Sequence, residues 1–403
     1  MQSDCIIGHM FIERKIAPRL KKLSTQFPVL GILGPRQSGK TTLAKALFPH
    51  HKYINLEALD TRRFAAEDPR RFLKSFEEGS GAILDEIQRV PELLSYIQEH
   101  VDEWQKPGFF ILTGSENILL NHHISQTLAG RIALATLLPL SLEELQDVSL
   151  LPEKMEDTLF RGFYPSLYAK KIDPREWIQS YMQTYIERDV RHLKQITDLS
   201  TFQKFLQLCA GRIGQLLDLT SIGNDCGIST NTVRSWLSVL EATYVIFLLH
   251  PHHKNFSKRL IKTPKLYFYD SAIACHLLSI QSAQDLTTHY LRGGLFESMI
   301  LSDLLKQRYN AGLPPNLYFW RDKSGHEVDC LLDHGTTLTP IEIKSGETIS
   351  SDFFTGLIKW NQLAGNNPSQ SYVVYGGKEK QIRSQGVALG WTQLGSLPLG
   401  KTS

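Results

Sequence analysis

Residues 34 to 41 read Gly34-Pro35-Arg36-Gln37-Ser38-Gly39-Lys40-Thr41 and match the phosphate-binding pattern G-x-x-x-x-G-K-[ST]. The apolar run Val29–Leu33 precedes this loop, and the helix-forming run Thr42–Leu47 follows it. In this setting, successive backbone N–H groups and the positive end of the new helix dipole point at phosphate oxygens. We therefore predict a nucleotide site in which Lys40 contacts the β- and γ-phosphates and the Thr41 hydroxyl binds Mg²⁺.

A second apolar run, residues 81–84, ends in two carboxylates, Asp85 and Glu86. Because buried strands of an open α/β sheet present their carboxyl ends to ligands, this pair is expected beside the phosphates. Asp85 would hold Mg²⁺ directly or through water, and Glu86 would act as the base that polarises the attacking water. The alternative interpretation is an acidic cap on the helix that follows Pro91, a role compatible with catalysis.

The run Phe109–Ser115 predicts a third strand that ends in small polar residues. Thr113 and Ser115 are candidates for contacting the γ-phosphate, and Asn117 is a weaker one. The nucleotide-binding residues predicted in this way are Gly34, Pro35, Arg36, Gln37, Ser38, Gly39, Lys40, Thr41, Thr42, Asp85 and Ser115. An additional strand, Tyr53–Glu57, lies between the phosphate loop and the acidic strand. This order resembles that of ATPases of the AAA class, which implies ATP and Mg²⁺ as ligands.

Arg131 directly precedes the last predicted core strand, Ile132–Ala135. Two interpretations stay open: an arginine finger or sensor for the transferred phosphoryl group, and an ordinary surface arginine. As a finger, Arg131 could act in cis or in trans, and a trans role would require a homo-oligomer.

The composition is that of a globular chain, with 403 residues of which 42% are hydrophobic. This length favours two to four domains. No apolar run approaches the ~20 residues of a membrane span, so no membrane partner is expected. The five cysteines form no C-x-x-C pair, which disfavours a zinc site or a disulfide framework and favours a reducing cytoplasm. The net charge of +3 neither requires nor excludes nucleic acid.

Helical patterns dominate the middle of the chain. The basic segment 12–23 and the aromatic segment Trp177–Val190 each predict a helix with an apolar face. Further on, a helix near Leu216–Thr220, a glycine turn and a helix capped by Ser229 form a helix-turn-helix pattern. A strand pair following it would make a winged helix, with Arg234 as a base-reading candidate and a wing carrying His252, His253, Lys254, Lys258, Arg259 and Lys262. Contact with DNA (or RNA) and a packing or protein-contact role both stay open.

Four charged residues near the C-terminus form a second candidate site. Glu297 lies in a helical pattern, Asp329 begins a strand, and Glu342 and Lys344 share one face of the next strand because side chains alternate. A hairpin around residues 333–335 would bring Asp329 opposite that face. The stretch resembles the PD-(D/E)XK nuclease superfamily, which implies that Glu297, Asp329 and Glu342 hold Mg²⁺ or Mn²⁺. The resemblance also implies that Lys344 orients water and stabilises the transition state.

The chain as a whole resembles a large prokaryotic family that couples an AAA-type ATPase core to a C-terminal domain of unknown function. The marks of this resemblance are the phosphate loop and residues 84–88, 112–115, 128–131, 185–190, 267–270 and 341–346. The expected fold is α/β: a P-loop NTPase parallel sheet, then a helical and winged-helix domain, then a restriction-endonuclease-like domain. The expected boundaries are 1–145 for the ATPase core, 146–204 for a helical linker or lid, 205–285 for the winged helix and 286–403 for the last domain.

Two functions compete on this basis. The first is an ATP-hydrolysing machine that acts on or with nucleic acid through its winged-helix and nuclease-like domains, with nuclease activity of its own left undecided. The second is a nucleotide-controlled regulator or scaffold whose inactive nuclease-like domain binds a partner.

Overall fold

The computed structural model describes residues 11–115, 127–170, 172–185, 196, 198–252 and 262–399. The chain forms two compact units. The first runs to Leu140 and includes Tyr309–Leu313, and the second comprises Ser141–Arg308 and the residues from Pro314 onward. The predicted division of the second unit into three domains stays a prediction.

The first unit alternates strands and helices, as expected for an α/β fold. In chain order its elements are α1 (Ala17–Ser24), β1 (Val29–Leu33), α2 (Lys40–Leu47), β2 (Lys52–Asn55), α3 (Leu59–Glu67), α4 (Pro69–Lys74), β3 (Ala82–Asp85), α5 (Leu93–Trp104), β4 (Phe110–Gly114) and β5 (Ile132–Thr136). The described strands form a five-stranded sheet in the order β2-β3-β4-β1-β5, and every neighbouring pair is parallel. The predicted α/β parallel sheet is therefore confirmed, with β4 between the strand that leads into the phosphate loop and the strand that ends in Asp85.

Both faces of this sheet are covered by apolar side chains. All five residues of β1 are buried, which explains why the strand reads as an unbroken apolar run rather than an alternating one. Leu30 and Ile32 pack into the cluster that contains Leu43 of α2. Val29 and Leu33 pack into the opposite cluster with Ile97 of α5. Packing on both faces fixes β1 firmly, so the loop that follows it starts from a rigid position.

The second unit begins with helices. Their bounds are α6 (Leu142–Asp147), α7 (Met155–Arg161), α8 (Pro165–Ala169), α9 (Pro174–Tyr185), α10 (Leu199–Ala210), α11 (Leu219–Cys226) and α12 (Thr230–Ala242). The turn between α11 and α12 follows the predicted pattern. Gly227 takes a positive φ of 71° at the end of α11, a conformation that glycine adopts without strain. The Ser229 side chain accepts a hydrogen bond from the Thr232 N–H and caps α12.

Strands and further helices follow. They are β6 (Ile246–Pro251), β7 (Lys265–Phe268), α13 (Ser271–Leu277), α14 (Arg292–Ala311), β8 (Leu317–Arg321), β9 (Glu327–Asp333), β10 (Leu338–Lys344), α15 (Thr355–Ala364), β11 (Tyr372–Tyr375), β12 (Gln381–Arg383) and β13 (Gly386–Gly390). The described strands form an eight-stranded sheet in the order β12-β13-β11-β10-β9-β8-β6-β7. β9 and β10 are antiparallel, which is the predicted hairpin, and β10 and β11 are parallel.

The strand pair expected as a wing is present but belongs to this larger sheet. β6 and β7 are antiparallel, and His250 and Pro251 of β6 also pair with β8. His252 is buried with its Nε2 3.9 Å from Oδ2 of Asp333, so its imidazole is directed into the unit. Lys262 is exposed. The other expected wing residues (His253, Lys254, Lys258 and Arg259) lie outside the described residues, as does Asn117.

The two helices predicted from apolar spacing are present with shorter bounds. The basic N-terminal segment forms α1 over Ala17–Ser24, and the aromatic segment forms α9 over Pro174–Tyr185. Residues 186–190 of the predicted aromatic helix lie outside the described residues. In the part of the chain that the structure describes, no helix has both the length and the apolar character needed to cross a membrane.

Candidate functional sites

The phosphate loop has the backbone conformation of an anion-binding turn. Gln37 and Gly39 have positive φ angles of 60° and 95°, and Gly39 is the residue from which α2 begins. A β-carbon at Gly34 would lie 2.1 Å from the Leu137 carbonyl oxygen, so only glycine fits there. The loop is thus held close to the segment that follows β5, with the first turn of α2 at its end.

Lys40 is 5% exposed, and its ammonium group lies over the loop itself. It donates hydrogen bonds to the carbonyl oxygens of Gly34, at 3.0 Å, and Pro35, at 2.7 Å. The buried Ser38 hydroxyl has no hydrogen-bond partner among the residues that the structure describes. Of the other predicted loop residues, Arg36 lies 3.8 Å from the Glu57 carboxylate, and Thr42 is exposed in the first turn of α2.

The Asp85 carboxylate accepts hydrogen bonds from three hydroxyl groups. The Thr41 Oγ1 donates to Oδ1 at 2.9 Å, the Tyr53 hydroxyl donates to Oδ2 at 2.8 Å, and Thr113 donates to Oδ1. Burial, together with the hydrogen bond to Asp85, raises the pKa of Tyr53, so this phenol remains a donor. A threonine hydroxyl beside a carboxylate supplies the oxygen ligands that Mg²⁺ prefers, so Thr41 and Asp85 fit the predicted magnesium site.

Glu86 directly follows β3 in a left-handed backbone conformation, with φ 59° and ψ 48°. A residue other than glycine adopts this conformation at a cost of about 1–2 kcal/mol, and such strain is concentrated at functional sites. Its Oε2 accepts hydrogen bonds from the Ser115 hydroxyl, at 3.1 Å, and from the Gln88 amide. Gln88 also donates to the Ser115 hydroxyl at 3.1 Å. Ser115 therefore lies beside the expected catalytic carboxylate, and Gln88 joins the site although no role was predicted for it.

Arg131 is separated from this group by the length of a strand. It precedes Ile132, which pairs with Val29 at the amino end of β1, whereas the phosphate loop follows Leu33 at the carboxyl end. Those two ends of β1 lie about 13 Å apart. The Arg131 guanidinium instead pairs with the Asp102 carboxylate, with Nη2 to Oδ2 at 2.8 Å. Parallel pairing thus carries Arg131 to the edge of the sheet opposite the phosphate loop, which favours the surface or trans alternative over a cis contact, and its role stays a prediction.

Arg14 is a residue of the nucleotide site that sequence reasoning missed. It is 5% exposed and donates to the Ser38 carbonyl oxygen at 2.8 Å and to the Leu138 carbonyl oxygen at 2.7 Å. A longer bond of 3.4 Å reaches the carbonyl oxygen of Pro139. One guanidinium group therefore joins the phosphate loop to the segment after β5. No local motif marks Arg14, since its partners lie 24 to 125 positions away along the chain.

In the second unit, the hairpin of β9 and β10 brings Asp329, Glu342 and Lys344 together as predicted. The Lys344 ammonium lies 3.1 Å from Asp329 Oδ2 and 3.5 Å from Glu342 Oε1. The backbone N–H of Ile343 donates to Asp329 at 2.8 Å, and the N–H of Asp329 donates to Glu342 at 3.1 Å. Each carboxylate thus already has protein donors.

Glu297 joins this group from α14, but through two residues of β7 that sequence reasoning missed. Its Oε1 accepts a hydrogen bond from the Tyr267 hydroxyl and lies 3.5 Å from the Lys265 ammonium. Lys265 also pairs with Glu327 of β9. We call Lys265, Tyr267, Glu297, Glu327, Asp329, Glu342 and Lys344 the C-terminal charge cluster. The alternation of Lys265 and Tyr267 on one face of β7 was the available signal.

Burial shapes the proton affinities in this cluster. It raises the pKa of Glu297 to about 7, and burial together with the nearby Asp329 raises the pKa of Glu342 well above its usual value. Burial alone would raise the pKa of Asp329, but the positive charges of Lys344 and Lys265 lower it below its usual value. Among the described residues, no three histidine, cysteine, aspartate or glutamate side chains are arranged to hold a metal ion. The metal site that the resemblance to nucleases implies is therefore not shown by the described residues of the cluster.

The parallel sheet, the phosphate loop and the Thr41–Asp85 contact define an AAA-type P-loop ATPase domain. In agreement, residues 26–146 match the family model described as an AAA domain. Residues 152–284 and 292–394 match two domains of unknown function, DUF8612 and DUF4143. The AAA domain implies ATP as the bound nucleotide, as the sequence predicts.

The chain is 30% identical over 353 residues to the uncharacterized protein Rv2008c of Mycobacterium tuberculosis, with 85% of this chain and 76% of that protein covered. The uncharacterized protein Mb2031c of Mycobacterium bovis gives the same values. The chain belongs to the family of these proteins. Among solved structures, it is similar to the Walker-type ATPase paby2304 of Pyrococcus abyssi, with a TM-score of 0.45, 18% identity, and coverage of 66% of this chain and 96% of that one.

Proposed function

We propose that this protein hydrolyses ATP with Mg²⁺ and uses the nucleotide cycle to control what its second unit binds. The observation that carries the proposal is the arrangement at the end of β3. There Asp85 holds the Thr41 hydroxyl, while the adjacent Glu86 carboxylate is held by Ser115 and Gln88. A metal-holding acid followed by a positioned second acid is what water activation beside a bound phosphate requires.

Each residue of the nucleotide site has its own proposed role in ATP binding or hydrolysis. The loop N–H groups and Lys40 would bind the phosphates, and Lys40 would exchange its bonds to the Gly34 and Pro35 carbonyl oxygens for phosphate oxygens. Thr41 and Asp85 would hold Mg²⁺, which neutralises phosphate charge when bound. Glu86 would accept a proton from the attacking water, and Ser115 would orient Glu86 or contact the γ-phosphate.

The test is the release of inorganic phosphate from ATP by the purified chain, with Mg²⁺ and with a chelator. Hydrolysis should require Mg²⁺ and should fall strongly in Thr41→Ala. The matched control is Thr61→Ala, which removes a threonine hydroxyl from α3. Magnesium-independent turnover, or equal loss in both variants, would contradict the proposed site.

We propose nucleic acid as the partner of the second unit, through α11 and α12. Support comes from the capped second helix and from the exposed Arg234 on its first turns, whose guanidinium lies 3.4 Å from the Asn231 side-chain oxygen. Exposed polar side chains near the start of such a helix are placed to reach base edges. Duplex DNA and single-stranded RNA should be compared by fluorescence anisotropy at two salt concentrations.

The informative variant is Arg234→Ala, and its control is Arg175→Ala, an exposed arginine on α9. We expect weaker binding of nucleic acid in Arg234→Ala alone. No binding of either nucleic acid by the wild-type chain, in the presence or absence of ATP, would instead favour the regulator that binds a protein partner.

We further propose that residues 286–403 have a restriction-endonuclease-like fold. The supporting features are an acid on a long helix, Glu297 on α14, followed by the β9–β10 hairpin with Asp329, Glu342 and Lys344. An experimental structure of the full chain would test this proposal through the strand order and the positions of these four side chains.

A further inference from the structure

We infer that the Lys265 ammonium supplies positive charge to the C-terminal charge cluster in place of a divalent metal ion, and that this cluster binds no such ion. The inference uses the proposed nuclease-like arrangement only as the reference for where a metal would lie. It is independent of ATP hydrolysis, which is measured separately below.

The position of Lys265 supports this inference. The residue is 4% exposed, and its ammonium lies between carboxylates from two different elements, Glu297 of α14 and Glu327 of β9. Its charge also acts on Asp329. A buried ammonium without partners would carry a large desolvation cost, so these acids and Lys265 stabilise one another. A divalent ion at Glu297 would have to bind beside this fixed positive charge.

Each carboxyl group of the cluster lies within ion-pair distance of a lysine or arginine side chain. Lys265, Lys344 and the Arg321 guanidinium, which lies 3.3 Å from Glu327, provide three positive groups. Glu297 lies 3.5 Å from the Lys265 ammonium, and Glu327 pairs with both Lys265 and Arg321. Asp329 and Glu342 lie 3.1 Å and 3.5 Å from the Lys344 ammonium. Every acid of the cluster therefore already has a cationic partner within the protein, which weakens its attraction for a metal ion.

The cluster also combines residues from two regions of the chain. Lys265 and Tyr267 lie in the segment that matches DUF8612, whereas the four predicted residues lie in the segment that matches DUF4143. Within the second unit, β7 is held in place by its pairing with β6 and by the bridge between Leu216 and Lys265. The cluster therefore ties the strand after the helix-turn-helix segment to the last domain, a role suited to transmitting a conformational change rather than to cutting a phosphodiester.

The experiment measures Mn²⁺ binding to the nucleotide-free full chain by electron paramagnetic resonance. The proteins compared are the wild type, Lys265→Met, Asp329→Asn, the double variant of these two, and Lys262→Met as a control that removes an exposed lysine nearby. We expect the wild type and Lys262→Met to bind the same amount of Mn²⁺. We expect Lys265→Met to bind one additional Mn²⁺ per chain, and the double variant to lose it again.

Two results would overturn the inference. One is a Mn²⁺ ion in the wild-type chain that disappears in Asp329→Asn, and the other is a folded Lys265→Met protein that gains none. If Lys265→Met does not fold, as judged by circular dichroism, the inference is tested by comparing Mn²⁺ binding of the wild type with that of the single variant Asp329→Asn. Equal Mn²⁺ binding then supports the inference, and a lost ion refutes it. Magnesium-dependent ATP hydrolysis by each folded variant reports separately on the AAA domain and should stay at the wild-type rate.

Discussion

The Thr41 hydroxyl donates a 2.9 Å hydrogen bond to the Asp85 carboxylate across 44 positions of the chain. This contact joins the phosphate loop after β1 to the acidic end of β3. The two strands are not neighbours, because β4 lies between them. Thr113 at the end of β4 contacts the same carboxylate, so all three strands contribute to one group of oxygen ligands.

Lys40→Ala should weaken ATP binding by about 10- to 100-fold, the loss expected for one charged hydrogen-bonding partner. The measurement is the dissociation constant of a fluorescent ATP analogue. Lys74→Ala removes the same charge from an exposed position on α4 and should bind as the wild type does. Equal affinity of the Lys40 variant and the wild type would remove Lys40 from the phosphate site.

Glu86→Gln should bind ATP normally but hydrolyse it at least ~100-fold more slowly, since the amide cannot accept a proton from water. Single-turnover hydrolysis separates this chemical step from binding. Glu92→Gln, an exposed position just before α5, is the control. Full turnover by the Glu86 variant would exclude Glu86 as the base.

Arg131→Ala should hydrolyse ATP at the wild-type rate in dilute protein, because Arg131 lies at the sheet edge opposite the phosphate loop and pairs with Asp102. The rate should be measured over a range of protein concentrations, with the assembly state followed by light scattering. A loss that appears only in assembled protein, and is partly restored by mixing with Lys40→Ala, would instead assign Arg131 a role in trans.

Arg14→Met should raise the KM for ATP about tenfold, the effect of losing one charged hydrogen bond, while changing kcat less. The reason is that Arg14 holds the Ser38 carbonyl oxygen and thereby the orientation of the phosphate loop. Arg14→Lys should recover part of the affinity, because an ammonium can still donate to one of these carbonyl oxygens. Arg63→Met on the exposed face of α3 serves as the control.

Thermal unfolding distinguishes two roles of Arg14: orienting the phosphate loop, and stabilising the fold without affecting ATP binding. A lower melting temperature combined with an unchanged KM at a temperature where the variant is folded would make Arg14 a purely structural residue. A raised KM in a variant that melts near the wild type would support the positioning role.

The amino-acid sequence by itself determined the nucleotide site to a large extent. The phosphate loop, Glu86 and Ser115 directly follow buried strands, and Asp85 is the last residue of one. Parallel strands bring their carboxyl ends to one edge of the sheet. The two-residue period of a strand likewise placed Glu342 beside Lys344, and the hairpin turn brought Asp329 opposite them. These predictions depend on local periodicity, which can be read from the chain without knowing the tertiary fold.

Only the tertiary structure decided which distant residues complete or leave the sites. Arg131 lies at the edge opposite the phosphate loop because β5 pairs parallel to β1. Arg14 belongs to the nucleotide site because it contacts the segments that follow β1 and β5, which are far from it along the chain. Lys265 reached Glu297 and Glu327 through the pairing of β6 with both β7 and β8. Local patterns do not encode such pairings, since they depend on the packing of whole elements against one another.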